Sequence, residues 1–393
     1  MTTASATRSA SARLTGIDRV RGLVMVLMVL DHARDFYVGF GLDPTDLATT
    51  TPILFFTRWV THFCAPGFVM LAGVSAFLQG QAKAGPELRR FLLSRGLWLV
   101  VLEVTVVRFG WVPEPFYRFT MLQVIWVIGW SMVLLAPLTF LPARGVLALG
   151  VAGVALHGLL DPIDADGMAA PWSFFWAVLH DPTGFEPAPG HFVRVGYALI
   201  PWLSVMAVGY GLGEIWTDGD AKRRRGRLLA LGTAATLAFV VVRAVNHYGD
   251  PVPWTAEGSP VMTLIAFLNC EKYPPSLDYL LMTLGPILVL LSLLERERVP
   301  AIVARVLEVY GRVPLFFYVA HIYLLRPIGI ACAIGRFGWS AIDPEVHDGT
   351  PEWPLYSAYI AWLAALVILY PACVWFGDLK RRRAGELWWL RYL

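Results

Sequence analysis

Charge is the scarcest commodity in this chain. Of 393 residues only 16% are Asp, Glu, Lys or Arg, against roughly 25% in soluble domains, while 57% are hydrophobic. That balance excludes an ordinary soluble domain. Cysteine is almost as sparse: Cys64, Cys270, Cys332 and Cys373 share no CxxC or CxxH spacing, so neither a zinc site nor a disulfide framework is suggested. They read as small apolar packing residues. No Gly-rich nucleotide fingerprint, P-loop, long low-complexity tract or internal repeat appears, which weighs against a transporter built from inverted halves. The first 14 residues lack any acid; rich in Ser, Thr and Ala with Arg8 and Arg13, they match a transit peptide in composition but read better as a short disordered cytoplasmic tail.

What the chain has instead is long apolar stretches. Ten of them, near 18–38, 54–80, 90–110, 119–140, 143–161, 193–216, 226–246, 276–295, 313–335 and 354–377, can cross a hydrocarbon core of ~30 Å. Sixteen Trp and 27 Pro suit interfacial anchors and short hairpins between spans. With the N-terminus inside, the inner segments collect 23 of the 32 Lys and Arg: Arg8 to Arg21, Lys83 to Arg95, Arg144, Lys222 to Arg227, Arg296 to Arg312, and Lys380 to Arg383 with Arg391. The positive-inside rule therefore places both termini in the cytoplasm. The expected fold class is all-α, a polytopic membrane bundle of ten or eleven helices. A tail over 1–15, a transmembrane domain over 16–378 and a basic, aromatic tail over 379–393 make up the expected organisation. The outer side differs. Its segment 161–191 is acidic around the aromatic "PWSFFWAVLH", and 247–275 carries "DPVPWTAEGSP" and "FLNCEKYPPSLDYL". Loops of this length could lid a site or simply be solvated.

Ionisable groups at membrane depth are costly and point to function. "GIDRVRGLVMVLMVLDHARDF", residues 16–36, opens with Asp18, Arg19 and Arg21 and closes with Asp31, His32, Arg34 and Asp35. Arg21 and His32 are eleven residues apart, so on a helix they point within about 20° of each other and lie roughly 16 Å apart along the axis. His62 reaches a similar depth from the outer side in the next span, one helical turn after Arg58. His321 sits about as deep in the ninth span. Any one of them alone reads as a core histidine bonded to a neighbour; three at one depth suggest a site. A metal centre is not expected, because no His pair has HxxxH spacing. Glu103 and Arg108 read as a structural ion pair, and Arg243 as an anion holder or a snorkelling side chain. His157, His180, His191, His247 and His347 lie at span ends or in loops and receive no role.

These residues also carry a resemblance. "GIDRVRGLVMVLMVLDHA" and "FCAPGFVMLAGVSAFL" resemble the first two spans of acyltransferase-3-type membrane enzymes. "RGLWLVVLEVTVVRF", "YALIPWLSVMAVGYGLG", "EKYPPSLDYLLMTLGP" and "GRVPLFFYVAHIYLL" are closer to one branch, the heparan-α-glucosaminide N-acetyltransferase-like proteins with many bacterial members. The resemblance runs from about residue 13 to 330. It implies an acetyltransferase of the bacterial inner membrane, moving an acetyl group from cytoplasmic acetyl-coenzyme A to a sugar hydroxyl or amine at the outer face. A histidine would act as base or transient acetyl carrier. By motif position the catalytic histidine falls on His32, whereas the lysosomal enzyme's proposed histidine lies nearer the loop after the first span, which leaves His62 open.

The chemistry is consistent with the residues. A neutral imidazole, with an ordinary pKa of about 6.5, suits proton abstraction from an acceptor, and Asp31 or Asp35 is available to orient it. Arg19, Arg21 and Arg95 at the inner boundary suit the phosphates of coenzyme A. Arg58, Asn269, Lys272, Tyr273, Ser276 and His321 suit a saccharide acceptor or the developing oxyanion. Expected partners are membrane lipid, the glycan acceptor and a second copy of the chain, with no nucleic acid and no metal. The rival readings are a transporter or flippase of a small or lipid-linked anion, and a non-catalytic membrane partner protein.

Overall fold

The computed structural model describes residues 2–39, 43–296, 298–343, 346, 348–383 and 385–391, with side chains except those of residues 2–14, 388 and 391. The expected disordered tail and the basic residues Arg8, Arg13 and Arg391 therefore have side chains outside the described residues, as does His347. In chain order the elements begin with α1 (Thr2–Tyr37), α2 (Pro52–Trp59), a 3-10 turn (Val60–Phe63), α3 (Cys64–Gly80) and α4 (Gly85–Leu102). A π-helical turn (Glu103–Val107), α5 (Arg108–Trp111), β1 (Phe119–Leu122), α6 (Val124–Leu138) and α7 (Ala143–Leu156) follow. Next come α8 (Trp172–Leu179), β2 (Gly184–Ala188), β3 (His191–Val195), α9 (Leu199–Leu212) and α10 (Ala221–Val245). The chain ends with α11 (Pro260–Leu268), α12 (Leu277–Leu294), α13 (Ala301–Arg312), α14 (Pro314–Phe337) and α15 (Leu355–Arg383).

This is the expected all-α membrane bundle. Seven helical stretches among the described residues are long and apolar enough to cross a membrane: Pro52–Gly80, Ala143–Leu160, Leu199–Thr217, Ala221–Val245, Leu277–Leu294, Pro314–Phe337 and Leu355–Arg383. Boundaries follow local chemistry. Asp220 accepts from the amides of Lys222 and Arg223 to start α10, and Ser276 accepts from the amide of Tyr279 to start α12. Asn246 ends α10 in the left-handed conformation.

Two expectations give way. The stretch 119–140 is not one helix: Phe119–Leu122 is a strand, paired in parallel with β3, while β2 pairs antiparallel to β3. Phe119 stacks on Phe192 at 6.0 Å, a cross-strand aromatic pair that the helical reading of a continuous apolar run could not anticipate. Part of the outer segment expected to be loop and half-helix thus forms a small sheet beside α8. Nor do Glu103 and Arg108 pair. The carboxylate of Glu103 accepts from the amide of Trp126 in the first turn of α6 at 3.2 Å, so it binds the positive end of that helix. Arg108 donates to the carbonyls of Phe119 and Glu114 and pairs with the Glu114 carboxylate. The π-helical turn between them widens the helix and turns the two side chains apart.

The chain divides into two compact units. The first comprises Met1–Arg13, Ala65–Trp254 and Cys270–Glu295; the second comprises Leu14–Cys64, Thr255–Asn269 and Arg296–Leu393. In the first, α4 crosses α6 where Gly96 meets Gly129, and α10 crosses α12 where Gly232 meets Gly285. Small residues let backbones approach where lipid supplies no hydrophobic drive between helices. In the second, α1 crosses α13 just as closely: a Cβ on Gly22 would stand 1.9 Å from the Leu307 carbonyl oxygen, and one on Gly311 1.9 Å from that of Asp18. α15 ties into the same unit, with the indole of Trp362 donating to the Val26 carbonyl at 2.8 Å and the hydroxyl of Tyr310 to that of Leu366 at 2.7 Å.

Since both contacts at the α1–α13 crossing are with backbone, Gly311→Ala is expected to destabilise the protein by about 1–3 kcal/mol or more, as overpacking does. Gly226→Ala in α10, where a Cβ meets nothing within 4 Å, is expected to be neutral or slightly stabilising. Thermal unfolding in detergent compares the two; equal midpoints would contradict the crossing.

Candidate active site

In the second unit, α1 and α14 bring two histidines face to face. Nδ1 of His32 lies 2.6 Å from Nε2 of His321, and the rings stack with centroids 4.9 Å apart and 19° between their planes. His321 is fully buried, and its Nδ1 lies 3.1 Å from the carbonyl oxygen of Phe317, one turn back along α14. A carbonyl can only accept, so Nδ1 of His321 carries hydrogen and Nε2 of the neutral ring carries the lone pair. Nδ1 of His32 must then donate. Assigned from this network, the tautomer of a neutral His32 places its basic lone pair on Nε2. Phe36 and Tyr318 stand beside the His32 ring at 6.4 Å, and Phe317 and Tyr318 beside His321 at 6.0 and 5.6 Å.

The other end of the ionisable cluster is a charge network. Asp31 holds Arg58 from α2 at 2.5 Å and Arg34 at 3.1 Å, and Arg34 also holds Asp35 at 2.5 Å. The four side chains are no more than 16% exposed, and their charges sum to zero. Asp31 or Asp35 is the sequence's candidate to orient His32; both carboxylates bind arginines, and the ring at Nδ1 of His32 is that of His321, read from sequence as an acceptor contact. His62 is buried in the 3-10 turn that follows α2, where the hydroxyl of Thr61 donates to the Arg58 carbonyl at 2.7 Å.

Midway along α1, two of the arginines expected to bind phosphates already have partners. Nε of Arg19 is 3.0 Å from Glu308, and Nη1 donates to the Arg296 carbonyl at 3.3 Å. Arg21 is 3.2 Å from Asp18 and donates to the Gly311 carbonyl. Arg312 reaches Glu308 at 2.6 Å and Asp18 at 3.9 Å, and Lys380 acts on Asp18 electrostatically. Four cations thus stand around Asp18 and Glu308, a basic cluster that suits a polyanion. Arg95 lies on α4 of the first unit.

The stretch 269–276 is divided between the units. In the second, Asn269 donates to the Thr45 carbonyl at 2.9 Å. In the first, the ammonium of Lys272 lies 5.0 Å from the Tyr273 ring and 6.0 Å from the Tyr197 ring, a cation–π arrangement. Ser276 donates to Asp250 at 2.7 Å, and the Glu271 amide donates to the same carboxylate. Arg243 does not snorkel: it is buried, 3.6 Å from Asp250 and 3.8 Å from Asp278, as a counter-ion. Burial holds the Cys270 thiol well above its ordinary pKa, so it stays protonated and is a poor acyl carrier.

Sequence reasoning found His32 and His321 separately through their depth. It missed their pairing, and it missed Phe317 and Tyr318, for which "FFYVAH" offered only apolar signal.

The family described as heparan-alpha-glucosaminide N-acetyltransferase, catalytic, matches residues 13–246, more than half of the chain. The match covers α1 to α10, with His32, Arg58 and His62; the 269–276 stretch and His321, inside the wider expected resemblance, lie beyond it. No curated protein matches the chain. With seven membrane-length apolar helices among the described residues, the chain is a multi-pass membrane protein belonging to the heparan-alpha-glucosaminide N-acetyltransferase catalytic family, a membership that implies acetyl transfer.

Proposed function

We propose that this protein, in a bacterial inner membrane, moves an acetyl group from cytoplasmic acetyl-coenzyme A to a hydroxyl or amine of a saccharide near the outer face, with His32 as the reacting histidine. The observation that supports this reading most is the 2.6 Å contact between Nδ1 of His32 and Nε2 of His321. It leaves the lone pair of His32 on the nitrogen away from His321, which is what either chemical route requires.

In the direct route, Nε2 takes the proton of the acceptor as its oxygen or nitrogen attacks the thioester carbonyl. The C–S bond breaks, and the departing thiolate recovers the proton from the imidazolium. In the carrier route, Nε2 itself attacks the carbonyl and the thiolate leaves; the acceptor then attacks the acetyl-imidazole, its proton ends on the thiolate, and neutral His32 is regenerated. His321 is a positioning residue in both. While His32 carries positive charge, its Nδ1–H still donates to His321, whose own N–H rests on the Phe317 carbonyl. A neutral imidazole anchored on a backbone carbonyl does here what a carboxylate does in a Ser-His-Asp triad, with less charge and no ion to desolvate. The aromatic rings around the pair limit water, which would otherwise hydrolyse the thioester. Arg19, Arg21 and Arg312 would hold the coenzyme's phosphates by sharing or exchanging their carboxylates.

His32→Ala is expected to lower transfer by roughly 10² or more while acetyl-coenzyme A still binds. His321→Gln is expected to lower kcat with little change in KM and to alter the pH profile, because Gln cannot hold the His32 tautomer in the same way. His62→Ala should do less than His32→Ala. Transfer assays on the three variants decide it: full activity in His32→Ala with loss in His62→Ala would move the reaction to His62.

For the donor, Arg21→Ala is expected to weaken acetyl-coenzyme A binding by about 1.5–3 kcal/mol, the range for a hydrogen bond to a charged group. Isothermal titration with unchanged affinity would place the phosphates elsewhere, the basic run 222–227 being the next candidate.

A further inference from the structure

We propose that His157 and His180 form a two-imidazole site for a transition-metal cation of the Zn2+ or Cu2+ type in the first unit, independent of the reaction read above. His157 opens the 3-10 turn after α7, and His180 directly follows α8. Nε2 of His157 lies 2.8 Å from the carbonyl oxygen of Pro275, and Nε2 of His180 lies 2.8 Å from Oδ1 of Asp161. Both acceptors require N–H, so in the neutral rings each lone pair sits on Nδ1. Both Nδ1 atoms are buried, and neither has a hydrogen-bond partner among the described residues. The rings themselves are 3% and 1% exposed, so solvent does not satisfy them either. A buried acceptor without a donor is costly, and here two lie in adjacent rings.

That arrangement is the outer half of a metal site. Metal-binding histidines donate their second ring N–H to a carboxylate or a backbone carbonyl, which fixes the ring and raises its basicity; His180 has the first partner and His157 the second. The spacing fits as well. With metal–nitrogen bonds of roughly 2.0–2.1 Å, an ion held by one nitrogen of each ring sets the centroids about 5–6.5 Å apart. The rings stand edge to face with centroids 6.0 Å apart. Asp161 supplies a negative charge next to two neutral ligands, which favours a cation, and imidazole selects transition metals over Mg2+ or Ca2+. Among the described residues no group of three or more His, Cys, Asp or Glu is arranged for a metal, so the remaining positions would go to water enclosed with the ion. Through Pro275 it would tie the ends of α7 and α8 to the 270–276 stretch.

The test uses the full-length protein, stripped of metal by chelator and with any affinity tag removed. Co2+ absorption and Zn2+ competition are expected to give one equivalent bound. Affinity should fall at least tenfold in His157→Gln and in His180→Gln, and Asp161→Asn should fall within the 10–100-fold range of outer-partner changes. Zn2+ should raise the unfolding midpoint of the native protein and not that of His180→Gln. Should a variant fail to fold, Cu2+ bound to the native protein gives the same information, with superhyperfine splitting from two nitrogens expected in its spin-resonance spectrum. No stoichiometric uptake, unchanged affinity in both histidine variants, or coupling to fewer than two nitrogens would overturn the proposal and leave ordered water as the partner of these rings.

Discussion

The hydrogen bond from His32 to His321 joins residues 289 positions apart, and the second unit is built so that it forms. α1 carries one ring and α14 the other, so each helix must hold its rotation and height for the bond to form. The glycine crossing between α1 and α13 fixes the first half of α1, and α15 clamps the same helices through Trp362 and Tyr310. The Phe317 carbonyl then sets which nitrogen of His321 bears hydrogen. Backbone geometry is in this way converted into the protonation pattern of a side chain on another helix.

The same constraint explains the pairing of charge. Within a membrane-spanning bundle a lone buried ion is costly, and among the described residues several are matched inside their own unit. Asp31 and Asp35 answer Arg34 and Arg58; Asp250 and Asp278 answer Arg243; Glu295 answers Arg224 at 2.5 Å. Glu103 has no cation and uses a helix N-terminus instead. Arg19, Arg21, Arg312 and Lys380 gather around Asp18 and Glu308. That cluster is where the proposed donor would bring its phosphates.

Much of this was legible in the sequence. Apolar runs of membrane length placed most of the helices, and a matched depth singled out His32, His62 and His321. Partner choice was not legible. Which carboxylate meets Arg58, or which ring meets His32, depends on the rotation of helices far apart in sequence, and periodicity fixes a residue's angle on its own helix only. Glu103 and Arg108 failed for a local reason, the extra width of one π-helical turn. β1 failed because a buried apolar run reads the same whether it continues as helix or strand. His157 and His180 were passed over because their closeness depends on how two segments of the first unit come together.

Two-sided transfer is the central claim, and sealed vesicles test it most directly. With the protein reconstituted in one orientation, acetyl-coenzyme A confined to the cytoplasmic-side compartment and glucosamine supplied only on the opposite side, free thiol is expected to accumulate with the donor and N-acetylglucosamine with the acceptor. Product that forms only when donor and acceptor share a compartment, or no thiol release with any amino sugar or glycan offered, would contradict the account.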